Sequence, residues 1–174
     1  KAKVAAEVKD FDPLLYFEKS EVRKTDLYTQ YAMGAAVQAM NQSGLENHID
    51  PRRLGVYIGS GIGGMETYTA ECEKLFKQGP RRVSPFFVPM MISNIAAGSV
   101  AIRYHAQGPC LPMVTACATS SNTIGEAFRA IKHGYADAIL AGGSEASINP
   151  LAIAGFTNCM ALSLSEDPLH SSIP

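Results

Sequence analysis

The run Val114-Thr115-Ala116-Cys117-Ala118-Thr119-Ser120-Ser121-Asn122 constrains this chain more than any other segment. Leu111, Met113 and Val114 before it read as a buried strand, small residues make the turn, and Ile124, Ala127, Phe128 and Ile131 after it recur at helical spacing. Cys117 therefore stands where a helix begins. The first N–H groups of a helix lack internal partners, and their aligned dipoles favour negative charge. A thiol held there ionises more readily than the model value of roughly 8.5, and the same N–H groups can stabilise an oxyanion. A lone cysteine is usually a small buried hydrophobe. The strand, the small-residue turn and the helix reverse that preference and mark Cys117 as a nucleophile.

The chain has 174 residues, enough for one domain with a real core. An apolar fraction of 47% and a charged fraction of 18% place it among globular proteins. A formal net charge of -1 gives no support for nucleic-acid binding, and no apolar run approaches the roughly 20 residues that span a bilayer. Cys72, Cys110, Cys117 and Cys159 show neither a CxxC pair nor zinc-ligand spacing, so the expectation is free thiols in a reducing cytosol. Lys1-Ala2-Lys3-Val4 starts within a strand or loop, and Asp167 to Pro174 has a surface-loop composition, so the chain reads as cut at both ends.

Residues 10 to 24 are amphipathic and charged, with Phe11, Leu14, Leu15 and Phe17 among acids and bases. A helix is expected from about Asp26 to Gln42, capped by Thr25 or Asp26 and stopped by Gly44. Leu54 to Gly59 reads as a strand, Met65 to Lys77 as a helix, Phe86 to Pro89 as an apolar loop and Ile92 to Tyr104 as a helix. Ala138 to Ala141 reads as a short buried strand, closed by Gly142-Gly143-Ser144-Glu145. Strands and helices alternating in this order predict an α/β fold with a parallel sheet covered by helices.

The glycines Gly59, Gly61, Gly63 and Gly64 follow a strand and precede a helix at dinucleotide-loop spacing. The Lys-Ser/Thr of a phosphate loop is missing, as is an acidic residue at the ribose position, which favours a tight turn with close backbone packing. Arg81-Arg82, and Lys19 with Arg23 and Lys24, are basic patches in a near-neutral chain. They are either a solvated face or a surface for an acidic or phosphorylated partner. None of His48, His105, His133 and His170 has a local context suited to serve Cys117 as a base, so partner histidines are expected outside this chain. No metal or cofactor motif remains.

The nucleophile run, with Asp137 to Glu145 and with Gly155-Phe156 and Ala161-Leu162-Ser163, resembles the β-ketoacyl-acyl carrier protein synthases. Ser60 to Gly64 and Gly79 to Pro89 are similar to the type II elongating members of bacterial fatty-acid synthesis in particular. The resemblance implies a thiolase-like α-β-α-β-α sandwich, of which residues 1–174 would be one domain, most of the N-terminal half, with a mainly parallel mixed sheet. It implies a cytoplasmic homodimer that catalyses a decarboxylative Claisen condensation without a cofactor, on substrates delivered by acyl carrier protein. Cys117 would carry the acyl thioester, while two histidines, a lysine and a second oxyanion donor would come from the remaining half.

Further positions follow from the same resemblance. Ile62 matches the bend of the acyl pocket, Phe87 and Val88 match apolar residues reaching that pocket near the dimer contact, and Phe156 matches a ring lining the tunnel. Ala152 matches a position held by glycine in some relatives, where the pocket wall would differ. Lys19, Arg23, Lys24, Arg81 and Arg82 match the basic surface that meets the carrier protein. A type I synthase, another thiolase-fold condensing enzyme, and a non-catalytic acyl- or carrier-binding module remain the alternatives; the cysteine weighs against the last.

Overall fold

The computed structural model describes residues 2–167 and 169–171, which fall into two compact units. The loop expected at the C-terminal end lies partly outside the described residues, at 168 and 172–174, as does Lys1 of the opening segment. The larger unit, residues 13–146, contains helices α1 (Lys19–Val22) and α2 (Leu27–Ser43), strand β1 (Leu54–Gly59) and helix α3 (Met65–Gln78). Helices α4 (Phe87–Met91), α5 (Ile95–Arg103) and α6 (Thr119–Lys132) follow, and strand β2 (Ala138–Gly143) closes it.

β1 and β2 pair in parallel, from Leu54 opposite Ala138 to Gly59 opposite Gly143. Side chains alternate along β1, as the two-residue period of a strand requires. Val56 and Ile58 join Tyr28, Ala32, Met33 and Ala36 of α2 and Ala96, Ala97 and Val100 of α5 in the main core. Tyr57 packs against Ala127 and Ala130 of α6, with Ile139 beside them. The layering is helix, sheet, helix, and the expected α/β class holds.

The third expected strand, before Cys117, is reduced to one parallel bridge between Val56 and Cys110. Its residues are not buried either: Leu111 is 51% and Val114 53% exposed. Pro109 and Pro112 flank the bridge, and each fixes φ and lacks a donor for a longer ladder. Among the described residues the expected mixed sheet is therefore a parallel pair with one bridge beside it.

The long α2 is terminated as expected, with Asp26 as its N-cap and Gly44 in the left-handed region at φ 63°. Asp26 is 2% exposed and serves two helices. One carboxylate oxygen accepts from the Tyr28 N–H at 3.2 Å, and the other accepts from the N–H and hydroxyl of Thr67, at 2.8 and 2.7 Å, in the first turn of α3. The segment expected as an apolar loop at 86–89 is instead the short α4. Pro89 lies in its first turn, where the missing N–H would have no partner in any case. α5 starts three residues later than its periodicity suggests, because the Ile92 backbone is extended and its carbonyl accepts the Tyr28 hydroxyl.

Glu71 on α3 is a second buried carboxylate, bound by the Lys74 ammonium and by the Ser84 N–H at 2.7 Å. It fixes the turn at 79–84, which carries Arg81 and Arg82 and leads into α4. Burial alone would raise its pKa, but the bonds from Lys74 and Ser84 outweigh burial and hold the carboxyl below the ordinary glutamate range.

The smaller unit comprises residues 2–12 with 147–167 and 169–171. Its helix α7 (Pro150–Asn158) begins with proline at N1 and is capped by Asn149, whose side chain accepts from the Ala152 N–H at 2.8 Å. Lys3 and Glu166 pair at 3.7 Å. No helix among the described residues is long and apolar enough to cross a membrane.

A group with a depressed folded-state pKa stabilises above its unfolded value and loses that contribution as pH falls through its folded value. Glu71→Gln is therefore expected to destabilise by about 1–3 kcal/mol at neutral pH. The difference from wild type should shrink below about pH 4.3, the ordinary glutamate value. Urea midpoints of both proteins across that range provide the check.

Candidate active site

Cys117 sits in a 3-10 turn, Ala116–Ala118, that runs directly into α6. Its side chain is exposed, so the thiol lies at the N-terminal mouth of a 14-residue helix and not in packed core. The turn is held from both sides. The Thr115 N–H donates to the Thr119 hydroxyl at 2.9 Å, the Asn122 amide donates to the Thr115 hydroxyl at 2.8 Å, and the Ala118 N–H donates to the Thr115 carbonyl at 3.1 Å. Ala116 has φ 52°, a left-handed conformation that costs energy in a residue with a Cβ and that turns the chain sharply just before Cys117. The run of small residues is the trace this left in the sequence.

The glycine cluster packs closely, as its composition suggests. A Cβ at Gly59 would lie 2.1 Å from the Met113 carbonyl oxygen, and one at Gly64 would lie 2.3 Å from that of Met90. The loop's N–H groups already hold an anion, the carboxylate of Glu145. Its Oε2 accepts from Gly61 N at 2.8 Å and Ile62 N at 3.2 Å, and its Oε1 accepts from the Ser60 hydroxyl at 3.0 Å. Residue-by-residue reading missed this role. The parallel register of β1 and β2 would have exposed it, since Ser60 is the first residue past Gly59 and Glu145 the second past its partner Gly143.

The remaining predicted residues are placed as follows. Ile62 lies in the glycine loop, partly exposed, and a Cβ at neighbouring Gly61 would approach the Ala116 carbonyl oxygen at 3.6 Å. The structure thus brings Ile62's loop beside the Cys117 turn. Phe87 and Val88 lie on α4, where the Phe87 ring is tilted against Tyr68 at 6.4 Å and Val88 is exposed. Ala152 and Phe156 belong to α7 in the smaller unit, Ala152 buried and Phe156 exposed. Lys19, Arg23, Lys24, Arg81 and Arg82 are all exposed, and among the described residues none of them forms an ion pair. The Lys24 ammonium lies 5.2 Å above the Phe86 ring, which joins one basic patch to the segment entering α4.

No described histidine is stationed at Cys117 by its own contacts. His133 follows the far end of α6, about 20 Å from the thiol along the helix, with its ring edge-on to Tyr135. His170 pairs with Asp167 in the smaller unit. Among the described residues no group of three His, Cys, Asp or Glu is arranged to hold a metal.

A parallel sheet between helices, with an exposed cysteine opening a helix at the carboxyl ends of the strands, is the arrangement of the thiolase-like enzymes. Solved structures agree. A type II polyketide ketosynthase in complex with its acyl-carrier protein superposes with a TM-score of 0.80, at 25% identity, covering 91% of this chain and 46% of that one. A β-ketoacyl synthase from Burkholderia phymatum STM815 shares the fold, with a TM-score of 0.79 at 24% identity over 95% of this chain and 40% of that one.

The sequence comparisons are more specific. The model of the β-ketoacyl synthase N-terminal domain matches residues 1–174, and the chain belongs to that family. It is 48% identical to 3-oxoacyl-[acyl-carrier-protein] synthase 2 of Coxiella burnetii, over 98% of this chain and 42% of the relative. It is 49% identical to the enzyme of that name from Staphylococcus aureus, over 94% of this chain and 41% of the relative. The chain thus spans less than half the length of these relatives.

The four thiols differ in setting. Cys72 is half-buried, burial pushes the Cys110 thiol up, and the Cys159 thiol donates to the Phe156 carbonyl at 3.3 Å. Limiting iodoacetamide is therefore expected to modify Cys117 first. Peptide mapping by mass spectrometry, showing the label on 117 ahead of 72, 110 and 159, is the check.

Proposed function

We propose that this chain is the nucleophile-bearing N-terminal half of an elongating 3-oxoacyl-acyl carrier protein synthase. The observation that carries the proposal is the exposed Cys117 thiol at the start of α6, behind the left-handed Ala116, in a chain of this family. In the first half-reaction the Cys117 thiolate attacks the thioester carbonyl of an acyl-carrier protein. The new C–S bond forms, the carrier's pantetheine thiol leaves, and the acyl group rests on Cys117. In the second, malonyl-carrier loses carbon dioxide, and its carbanion attacks the Cys117 thioester. The C–C bond forms as the C–S bond breaks, which returns the thiolate and releases a 3-oxoacyl-carrier two carbons longer.

The Cys117 backbone N–H, at the head of α6, is oriented by the turn that Thr115, Thr119 and Asn122 hold together. We assign it one of the two oxyanion bonds in each tetrahedral intermediate, a contribution that grows as charge develops on the carbonyl oxygen. The second donor, two histidines and a lysine are assigned to the rest of the protein. Ile62, Phe87, Val88, Ala152 and Phe156 are assigned to the acyl pocket. The whole enzyme is proposed to work as a cytoplasmic homodimer.

Lys19, Arg23, Lys24, Arg81 and Arg82 are assigned to carrier docking. Their support is exposure, and for Arg81 and Arg82 also a turn that Glu71 holds in place. Unpaired cations on a fixed surface suit an acidic partner, and such pairs act mainly on association rate and salt dependence.

Two measurements test the assignment on the intact enzyme. Cys117→Ala should abolish transfer of radiolabelled acyl groups from carrier to protein, and persistent labelling would refute the nucleophile. The double substitution Arg81→Glu and Arg82→Glu should raise KM for acyl-carrier about tenfold or more, equivalent to roughly 1.4 kcal/mol. Transfer from a small thioester lacking the carrier should change little, and an equal loss on both substrates would count against docking.

A further inference from the structure

We infer that Glu145 is a specificity-positioning residue: by latching the loop Ser60-Gly61-Ile62-Gly63 to the end of β2, it fixes the Ile62 side chain beside the Cys117 turn. The inference rests on the reading of Ile62 as an acyl-pocket residue, and concerns what holds that residue in place.

Three donors converge on one carboxylate. Gly61 N and Ile62 N donate to Oε2 and the Ser60 hydroxyl donates to Oε1. Ser60 Oγ in turn accepts from Gly63 N at 2.9 Å, so the four residues after β1 all depend on Glu145, directly or through one hydroxyl. Such bonds to an ionised acceptor are stronger than neutral ones.

Glu145 stands on a rigid base. The ladder between β1 and β2 runs to Gly59 and Gly143, and the Ser144 N–H extends it by donating to the Gly59 carbonyl at 3.0 Å. The Ser144 hydroxyl also donates to the Tyr28 carbonyl at 2.7 Å, tying this residue to α2. The residue before Glu145 is therefore anchored twice.

The loop is shaped to admit the latch. A Cβ at Gly61 would come within 2.7 Å of Glu145 Oε2, so a side chain there would push the carboxylate out. Gly63 has φ 82°, which lets the chain curl back so that its N–H reaches Ser60. A Cβ added at Gly61 would lie 3.6 Å from the Ala116 carbonyl oxygen, so the loop runs beside the Cys117 turn. Without the carboxylate, two N–H groups and a hydroxyl would lose their common acceptor, and Ile62 would be free to move relative to Cys117. A pocket wall that moves discriminates poorly between acyl lengths, so the effect belongs in selectivity.

The test compares kcat/KM for acylation of Cys117 by hexanoyl- and myristoyl-carrier in the intact enzyme. Wild type, Glu145→Gln, Ile62→Ala and the double variant are measured, with circular dichroism confirming the fold. Glu145→Gln is expected to shift the ratio of the two substrates by about five- to tenfold, toward the value of Ile62→Ala. In the Ile62→Ala background, where the side chain to be positioned is gone, the same substitution should add no further shift.

If Ile62→Ala changes the ratio while Glu145→Gln leaves it within about twofold of wild type, the latch is overturned and the pocket reading stands. An equal fall for both substrates, or a shift that simply adds to that of Ile62→Ala, overturns it as well. If Ile62→Ala leaves the ratio unchanged, the pocket reading of Ile62 fails and takes the inference with it. Should Glu145→Gln fail to fold, Ser60→Ala removes one of the three contacts and serves the same comparison, with a smaller shift in the same direction expected.

Discussion

A missing methyl group at Gly59 is the constraint on which the site depends. Any side chain there would overlap the Met113 carbonyl and the Thr119 methyl, which lies 2.5 Å from the Cβ position. Because the position is bare, the segment leading to Cys117 and the first residue of α6 can both rest on the last residue of β1. Gly143, paired with Gly59 on β2, is similarly close to Ser120, whose Cβ would be 3.0 Å from an added one. Two glycines at the same level of a parallel sheet thus seat the helix that presents Cys117. Ligand sites of open α/β sheets gather at the carboxyl ends of the strands, which is where Cys117 stands.

Much of this was legible in the sequence because the signals were local. Asp26 and Gly44 bound α2 as their chemistry demands, and Cys117 opens α6 where the apolar spacing begins. The features that escaped depend on partners distant in sequence. The segment from Leu111 to Val114 has the composition of a strand but not its burial or its ladder, and flanking prolines limit its pairing to Cys110. The late start of α5 is set by a hydroxyl on α2, which no window around Ile92 contains. Glu145 reads as an ordinary strand-ending acid until the register brings it to the same end of the sheet as Ser60 and Gly61. The proposed pocket and docking roles rest on family resemblance alone, since Phe87, Val88 and the basic residues carry no local pattern that separates function from a plain surface.

The glycine loop illustrates why a motif needs its surroundings. Loops of this shape bind phosphates because consecutive N–H groups point to one spot. Here the convergence exists, and the negative charge comes from the protein's own chain. The physics of an anion nest is kept while its use changes from recruiting a ligand to shaping a turn. The same economy recurs at Glu71, where a buried acid gathers an ammonium and a backbone N–H to define the course of a connecting segment.

Asp26 extends that theme into dynamics. One carboxylate closes the leading ends of α2 and α3, whose bonded amides lie 39 residues apart in the chain, at Tyr28 and Thr67. Fraying of α2 that displaces Asp26 also strips Thr67 of its acceptor. Opening at the start of α2 is thereby transmitted to α3, and the Thr67 amide is laid open to solvent deuterium whenever Asp26 swings away.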